Sequence, residues 1–223
     1  MANMATYYIV RHGQTLANKE GILQGHLDVP LSEHGKKQAE LVAKALSTAD
    51  IDAVYSSDLD RARATAEIIG RYHNLDPILD PRLREIHCGS LQGRTMEDSR
   101  KLFPEFFMAF REDPINAVRP GGGESFADLY HRSVSFFEEI LHRHPDSNVV
   151  IVTHGGVIRC LLAYANAVEP DPSSPTPANA SISIISKENG NLRVKRVSDT
   201  THLADLGENV QGSNSADTYR WLN

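Results

Sequence analysis

Short apolar runs alternate with amphipathic segments along most of the chain. Residues 6–10 and 148–153 consist mainly of apolar, β-branched or aromatic side chains, which predicts two buried strands. Apolar positions recur at helical spacing through about 32–48, with Ser32 as N-cap, and through 124–144, which predicts two amphipathic helices. Because strands and helices alternate, the pattern is typical of an α/β protein in which neighbouring strands run parallel.

The remaining segments add to this prediction. Shorter strands are predicted at 51–55, 77–80, 180–186 and 192–197, and further helices after Asp58 as N-cap, at 102–110 and at 155–166. The turn between the last two strands, Glu188-Asn189-Gly190-Asn191, favours a hairpin, so the sheet is predicted to be mixed. We expect a three-layer α/β/α sandwich with a mostly parallel mixed sheet. One domain would span residues 1–223, with a helical cap insertion at about 86–123 and a polar tail at 205–223.

Composition narrows the classes of function. A net charge of −6 argues against general nucleic-acid binding, which requires a basic surface. The apolar runs are too short for a membrane span, and two cysteines are too few for a disulfide framework, so we expect a cytoplasmic protein with no membrane partner. The N-terminus lacks the pattern of a signal peptide. Local arginines can still attract an anionic substrate.

Two similar motifs follow the two most apolar strands. Val10-Arg11-His12-Gly13-Gln14 and Val152-Thr153-His154-Gly155-Gly156 each place a histidine and a glycine where a strand should end. An arginine fork matches phosphate, and a neutral imidazole nitrogen can attack phosphorus. Alternatively, His12 only forms a hydrogen bond to a loop, and His154 is a core histidine whose hydrogen bonds are satisfied within the protein. Together the motifs suggest one anion site that contains a nucleophile.

Two further positions are candidates for the same site. Arg61 lies in the first turn of a predicted helix, where a cation is unfavourable unless an anion lies nearby. Alternatively, Arg61 is solvent-exposed and forms an ion pair with Asp58 or Asp60. Glu85 is expected to follow a strand and to precede a glycine-punctuated loop, and it could hold a proton for a leaving alkoxide. Its alternative is an ion pair with Arg82 or Arg84.

The full set of motifs resembles the histidine phosphatase superfamily, the phosphoglycerate-mutase-like proteins. The resemblance covers nearly the whole chain and rests on five segments in the family's order. They are Arg11-His12-Gly13 with Asn18 after it, Ser57-Asp58-Leu59-Asp60-Arg61-Ala62, Arg84 to Gly89, Gly122-Gly123-Glu124-Ser125 and Thr153-His154-Gly155-Gly156.

This resemblance implies a role for each matching position. His12 would be the nucleophile that becomes phosphohistidine, and Glu85 the proton donor to the leaving group. Arg11, Arg61 and His154 would surround the phosphoryl group as catalytic residues, with His154 acting as a cation whose pKa the phosphate raises. The substrate- or phosphate-binding positions would be Asn18, Gln24, Gly25 and Gly155. The resemblance implies neither a metal nor a cofactor, because arginines and imidazolium would neutralise the charge.

Hydrolysis and mutase activity share the His12 chemistry. Relative to the cofactor-dependent mutases, this chain has Cys88 in place of a tyrosine and Met96 in place of a lysine, and residues 86–123 contain no adjacent arginine pair. We therefore expect hydrolysis of small phosphate monoesters, with a phosphoglycerate mutase as the main alternative. The expected partner is a small phosphorylated metabolite, and a homodimer stays open.

Three other classes fit less well. A metal hydrolase would need a compact ligand pattern, which the ten histidines do not form in sequence. A non-catalytic phosphate-binding module would not need the complete set of catalytic positions. A small protein phosphohistidine phosphatase would lack the long helical insertion.

Overall fold

A computed structural model describes residues 4–207, and its centre is a six-stranded sheet. The strands are β1 (Met4–Arg11), β2 (Ala53–Ser56), β3 (Ile78–Leu79), β4 (Asn148–Thr153), β5 (Ile182–Glu188) and β6 (Asn191–Asp199). The helices are α1 (Leu16–Lys19), α2 (Glu33–Leu46), α3 (Asp60–His73), α4 (Met96–Leu102), α5 (Pro104–Glu112), α6 (Phe126–Arg143) and α7 (Gly155–Ala165), with 3₁₀ turns at Pro81–Leu83, Gly89–Leu91 and Thr201–Leu206.

The sheet is mixed, as the sequence predicted. Its strand order is β3-β2-β4-β1-β5-β6, and the first four strands in this order are parallel. β5 and β6 are antiparallel, and they form the expected hairpin. Because β1, β2 and β4 run in the same direction, their carboxyl ends meet at one edge of the sheet.

Two apolar cores lie on opposite faces of this sheet. Successive side chains of β4 lie in different cores: Val149 and Ile151 pack in one, and Val150 and Val152 pack in the other. α6 and α7 cover the first face, and α2 and α3 cover the second. The predicted three-layer α/β/α architecture is therefore confirmed.

The segment expected to form a cap is helical, but it contains two helices rather than one. A single helix was predicted at 102–110, whereas α4 ends at Leu102 and α5 begins at Pro104. Proline lacks the backbone N–H that a continuous helix needs and is well tolerated at the first helical position. The long helix begins at Phe126, capped by Ser125, rather than at Glu124.

Asp58 does not cap α3 as predicted. The N-cap is Leu59, which provides no side-chain cap bond, and the backbone N–H of Asp60 donates to the Asp28 carboxylate at 2.7 Å instead. Asp58 forms an ion pair with Arg84. The carboxylate that accepts from the helix N-terminus thus comes from a loop distant in sequence, a contact that local patterns cannot indicate.

Three other predictions need correction. The strand predicted at 77–80 contains only Ile78–Leu79, and Glu85 follows a 3₁₀ turn rather than a strand. The segment from the end of β1 to about residue 31, where the sequence predicts a loop and no helix, contains the four-residue helix α1, which is too short to produce a periodic pattern. Most of the predicted tail, residues 208–223, lies outside the described residues.

Candidate active site

The carboxyl edge of the parallel strands brings the two motif histidines together. His12 follows β1 and His154 follows β4, and their ring centroids are 5.0 Å apart. Both side chains are buried, with His12 2% exposed and His154 0% exposed. A separation of 142 positions in sequence therefore becomes direct proximity, because β1 and β4 are hydrogen-bonded neighbours.

One nitrogen of His12 is held by the backbone. Its Nδ1 lies 2.7 Å from the Gly13 carbonyl oxygen. A carbonyl oxygen can only accept, so Nδ1 carries the proton and Nε2 retains a free lone pair. Burial, together with the positive charges of Arg61 and Arg11, holds the pKa of His12 well below its usual value. The imidazole is therefore neutral near pH 7, as a nucleophile requires.

His154 is fixed by Ser57, which follows β2 at the same edge. The His154 Nε2 lies 2.9 Å from Ser57 Oγ, and within residues 4–207 the buried Nδ1 has no hydrogen-bond partner. Burial, followed by the charge of Arg61, lowers the pKa of His154 well below its usual value. The expectation that phosphate raises this pKa concerns the phosphate complex and stays a prediction.

Two arginines beside the histidines are oriented by carbonyl groups. Arg61 donates from Nη2 to Gly25 O and from Nη1 to Leu27 O, both at 2.8 Å. Arg11 donates from Nη1 to Pro177 O at 2.5 Å, and burial lowers its pKa to about 10, which still leaves it charged at neutral pH. The predicted alternative for Arg61, a solvated pair with an adjacent aspartate, is wrong, because Arg61 is 1% exposed.

Glu85 points to the start of α7. Its Oε2 accepts from Gly156 N at 3.2 Å and its Oε1 accepts from Ile86 N at 2.8 Å. Arg82 and Arg84, the partners considered from sequence, pair with other carboxylates. Among residues 4–207 no ion pair involves Glu85, so its carboxyl group remains available to the pocket.

Arg132 of α6, which the sequence analysis did not single out, holds the backbone around Glu85. Its guanidinium donates to the carbonyl oxygens of Arg82, Arg84 and Glu85 at 2.6–2.8 Å. It also forms a two-pronged ion pair with Glu124. The Gly-Gly-Glu-Ser segment therefore contributes through Glu124, which orients the arginine that positions Glu85.

A pocket of about 190 Å³ opens beside these groups. The residues that line it are Arg11, His12, Asn18, Ile22, Leu23, Gln24, Gly25, Arg61, Glu85, Ile86, Cys88, Leu91, Arg119, Gly156, Arg159 and Thr176. The predicted site residues Asn18, Gln24 and Gly25 thus lie together with His12. Two arginines in this lining, Arg119 and Arg159, were not predicted as site residues.

The binding-site loop is organised by local hydrogen bonds. Thr15 Oγ1 lies 3.0 Å from both Asn18 Oδ1 and Gln24 Oε1, so one hydroxyl ties these two side chains together. Gly25 has a φ of +52°, and a side chain there would meet Cys88 N at 2.9 Å. Glycine is therefore required for the close approach that presents its carbonyl group to Arg61.

Two of the predicted site residues lie outside the pocket lining. His154 lies behind His12, completely buried. Gly155 packs against Thr176, where a Cβ would approach Thr176 Cγ2 to 2.6 Å. Within residues 4–207 there is no group of three His, Cys, Asp or Glu placed to hold a metal ion, and no helix there has the length and apolar character for crossing a membrane.

Comparisons with known proteins agree with this geometry. A family model for the histidine phosphatase superfamily, branch 1, matches residues 7–200. Phosphoglycerate mutase-like protein 4 of Arabidopsis thaliana is 39% identical over 206 residues, covering 91% of this chain and 89% of the relative. The metal-independent phosphoserine phosphatase of the same plant is 36% identical over 201 residues, covering 89% and 83%.

The solved structures show the same architecture. YhfR of Bacillus stearothermophilus superposes with a TM-score of 0.82 at 35% identity, covering 89% of this chain and 99% of that one. A mycobacterial glucosyl-3-phosphoglycerate phosphatase complexed with VO3 superposes with a TM-score of 0.76 at 34% identity, covering 85% and 97%.

Proposed function

Because the chain belongs to branch 1 of the histidine phosphatase superfamily, we propose that it hydrolyses small phosphate monoesters through a phosphohistidine on His12, without a metal ion. One observation carries the proposal. The His12 Nε2 is left free by the Nδ1 contact with Gly13 O, and it stands in a pocket wall beside Arg11 and Arg61. Among residues 4–207, neither arginine is neutralised by a carboxylate ion pair.

The proposed first step transfers the phosphoryl group to the protein. The His12 Nε2 attacks phosphorus, the bond from phosphorus to the ester oxygen breaks, and Glu85 donates its proton to that oxygen. Arg11 and Arg61 stabilise the negative charge on the other phosphoryl oxygens. In the buried site, fixed hydrogen-bond donors replace water around the phosphoryl group, so the electrostatic attraction between the arginines and the phosphoryl oxygens is stronger than in water.

The second step returns the protein to its starting state. Water attacks phosphorus, its proton passes to the Glu85 carboxylate, and the bond from phosphorus to Nε2 breaks. Inorganic phosphate leaves, with His12 neutral and Glu85 protonated again. Glu85 thus serves as acid and then as base, which its position in the pocket lining beside His12 supports.

Mutase activity is the second candidate, because several relatives are named phosphoglycerate mutases or mutase-like proteins. Hydrolysis is favoured by Cys88 and Met96, which replace the tyrosine and the lysine of the cofactor-dependent mutases, and by relatives named as phosphoserine phosphatases. Conversion of 3- to 2-phosphoglycerate, measured with and without bisphosphoglycerate, distinguishes the two. Isomerisation faster than phosphate release would replace hydrolysis as the assignment.

The direct test is the substitution His12→Ala. We expect loss of phosphate release and of an acid-labile, ³²P-labelled phosphoprotein, both measured with a small monoester after chelation of metals. His142→Ala, on an exposed position of α6, is the matched control and should behave as the wild type. Full activity in His12→Ala, or activity that requires an added metal, would disprove the proposal.

A further inference from the structure

A histidine on the loop that holds Arg61 also reaches the backbone of Glu85. His26 Nε2 lies 2.7 Å from the carbonyl oxygen of Glu85, which is 59 positions away in sequence. Its chain neighbours, Gly25 and Leu27, are the residues whose carbonyl groups accept from Arg61. His26 has no part in the proposed hydrolytic steps and does not line the pocket. Three consecutive residues therefore contact both the arginine proposed to bind phosphate and the segment of the proposed acid.

The contact fixes the position of a proton on the His26 ring. A carbonyl oxygen can only accept a hydrogen bond, so His26 Nε2 carries a proton and donates to Glu85 O. Burial, opposed by this hydrogen bond, lowers the pKa of His26 below its usual value. The ring is therefore neutral at pH 7, with its proton on the nitrogen that faces Glu85.

Two side chains hold the same oxygen of Glu85. Arg132, on α6, donates to it from Nη2 at 2.8 Å, while His26 donates from the loop that follows α1. Arg132 thus fixes the backbone of Glu85 relative to α6. His26 fixes that backbone relative to the loop of Arg61. Transfer of a phosphoryl group with a proton to the leaving oxygen requires this second relation, because both groups must meet one substrate.

The orientation of the His26 ring is itself fixed by its surroundings. The ring centroids of His26 and His87 are 4.7 Å apart, and His87 Nδ1 lies 2.9 Å from the carbonyl oxygen of Gly122. The backbone N–H of His26 donates to Gln92 Oε1 at 2.7 Å. A ring held at its face and at its backbone loses little further conformational freedom when its Nε2 bonds, so the bond can set a position.

We propose that His26 is a positioning residue that sets the carboxyl group of Glu85 relative to Arg61 through the hydrogen bond from its Nε2 to Glu85 O. In this role His26 touches no reacting atom and acts through Glu85. A displaced proton donor transfers its proton less readily to the leaving oxygen. The inference rests on the proposed hydrolysis at His12 and adds a residue to its machinery.

The test compares two amide side chains that present a donor at different distances from the backbone. In His26→Gln the side-chain amide nitrogen takes the place of Nε2, so the bond to Glu85 O can form. In His26→Asn the amide nitrogen stands at the place of Nδ1 and falls short of that oxygen. Both variants remove the ring and its contact with His87. A difference between them therefore reports the hydrogen bond to Glu85 O.

The substrates are phenyl phosphate and p-nitrophenyl phosphate, which differ in how far the leaving oxygen needs a proton. Since kcat/KM covers only the steps up to release of the phenol, it reports the transfer in which Glu85 is the acid. For His26→Asn we expect roughly a 10-fold loss with phenyl phosphate and less than about 2-fold with p-nitrophenyl phosphate. His26→Gln should stay within about 2-fold of the wild type on both. Equal losses on the two esters in His26→Asn, or equal losses in the two variants, would overturn the proposal.

A double-mutant cycle tests whether His26 acts through Glu85. In a Glu85→Gln background, His26→Asn should cause little further loss with phenyl phosphate, whereas losses that multiply independently would overturn the proposal. His144→Asn is the matched control. His144 is also half-buried, and its Nε2 lies 2.9 Å from Tyr55 Oη, outside the pocket lining. Its ratio of kcat/KM between the two esters should equal that of the wild type.

A measurement on the wild type needs no variant. The ¹⁵N chemical shifts of the His26 ring at pH 7 should show the proton on Nε2. A neutral ring with its proton on Nδ1 would overturn the proposal, whether or not the variants fold. A wild-type protein that releases phosphate from neither ester would instead reject the proposed function, and this inference with it.

Discussion

At the scale of single residues, the site depends on which atoms are left unpaired. The Gly13 carbonyl group occupies Nδ1 of His12, which leaves Nε2 for phosphorus. Carbonyl oxygens occupy the outer nitrogens of Arg61, which leaves its Nε without a partner among residues 4–207. Backbone carbonyl groups thus orient the charged side chains without neutralising them, so the positive charge remains available to bind an anion.

The role proposed for Glu85 predicts a dependence on the leaving group. Glu85→Gln keeps the size of the side chain but cannot donate a carboxylic proton, so alkyl phosphates should lose about 100-fold in kcat/KM. The ester of p-nitrophenol, whose anion leaves without a proton, should lose less than about 10-fold.

The matched control for this substitution is Glu105→Gln, at an exposed position of the cap helix α5. It should leave kcat/KM for both esters unchanged. Equal losses for alkyl and p-nitrophenyl esters in Glu85→Gln would contradict the role as an acid.

At the scale of elements, the start of α2 packs closely against the loop that carries the nucleophile. A Cβ on Gly35 would overlap the Gln14 carbonyl oxygen, and a Cβ on Gly13 would overlap the carbonyl oxygen of Gly35. The two glycines therefore allow the start of α2 to lie directly against the backbone after His12. The Ser32 cap bond to Gly35 N, predicted from sequence, fixes the same turn.

Gly35→Ala should consequently disturb both stability and catalysis. Overpacking of this kind costs about 1–3 kcal/mol in the free energy of unfolding, and the displaced loop should lower kcat. Urea denaturation and phosphate release measure the two effects. Lys37→Ala, exposed on the same helix, should change neither by more than a few tenths of a kcal/mol. A stable and fully active Gly35→Ala protein would show that the contact is not needed.

Elements with a strong local signal could be predicted from the sequence. β4 is a run of four apolar residues between Asn148 and Thr153, and α2 has a serine cap and helical spacing, so both were located closely. The cap of α3 could not be predicted, because the accepting carboxylate belongs to Asp28, 32 residues away. Local periodicity carries no information on such contacts.

The same reasoning explains the outcome for the site. His12, Arg61 and Glu85 stand in recognisable motifs, so the sequence identified them. Arg119 and Arg159 were missed because they reach the same pocket only through the folding of segments distant in sequence. Arg159 lies four residues after Gly155, so helical spacing could have placed it on the face of α7 that borders the site. Nothing in the sequence around Arg119 indicates that this residue lies at the same pocket.

At the scale of the whole molecule, the buried histidines couple stability to pH. The pKa values of His12 and His154 are lowered in the folded protein, chiefly by burial. Below pH 6.5 the unfolded chain therefore binds more protons than the folded one. Each histidine should lower the free energy of unfolding by up to about 1.4 kcal/mol per pH unit between pH 6.5 and its folded pKa.

Urea denaturation at pH 7.5, 6.5 and 5.5 tests this coupling. Stability should be nearly constant from pH 7.5 to 6.5, as far as these two groups contribute, and should fall at pH 5.5. His12→Gln should reduce that loss by about the contribution of one histidine, whereas His142→Gln, at an exposed position, should not. Equal losses in the wild type and in His12→Gln would contradict the lowered pKa of His12.

The central place of β1 has a consequence for how the chain assembles during synthesis. Thr6 of β1 is paired with Asn148 of β4, and Val10 is paired with Ile182 of β5. Contacts so distant in sequence slow folding, because a long loop must close before they form. β1 therefore keeps both of its edges open until residues 148–188 have been synthesised, so the centre of the sheet cannot form before that point.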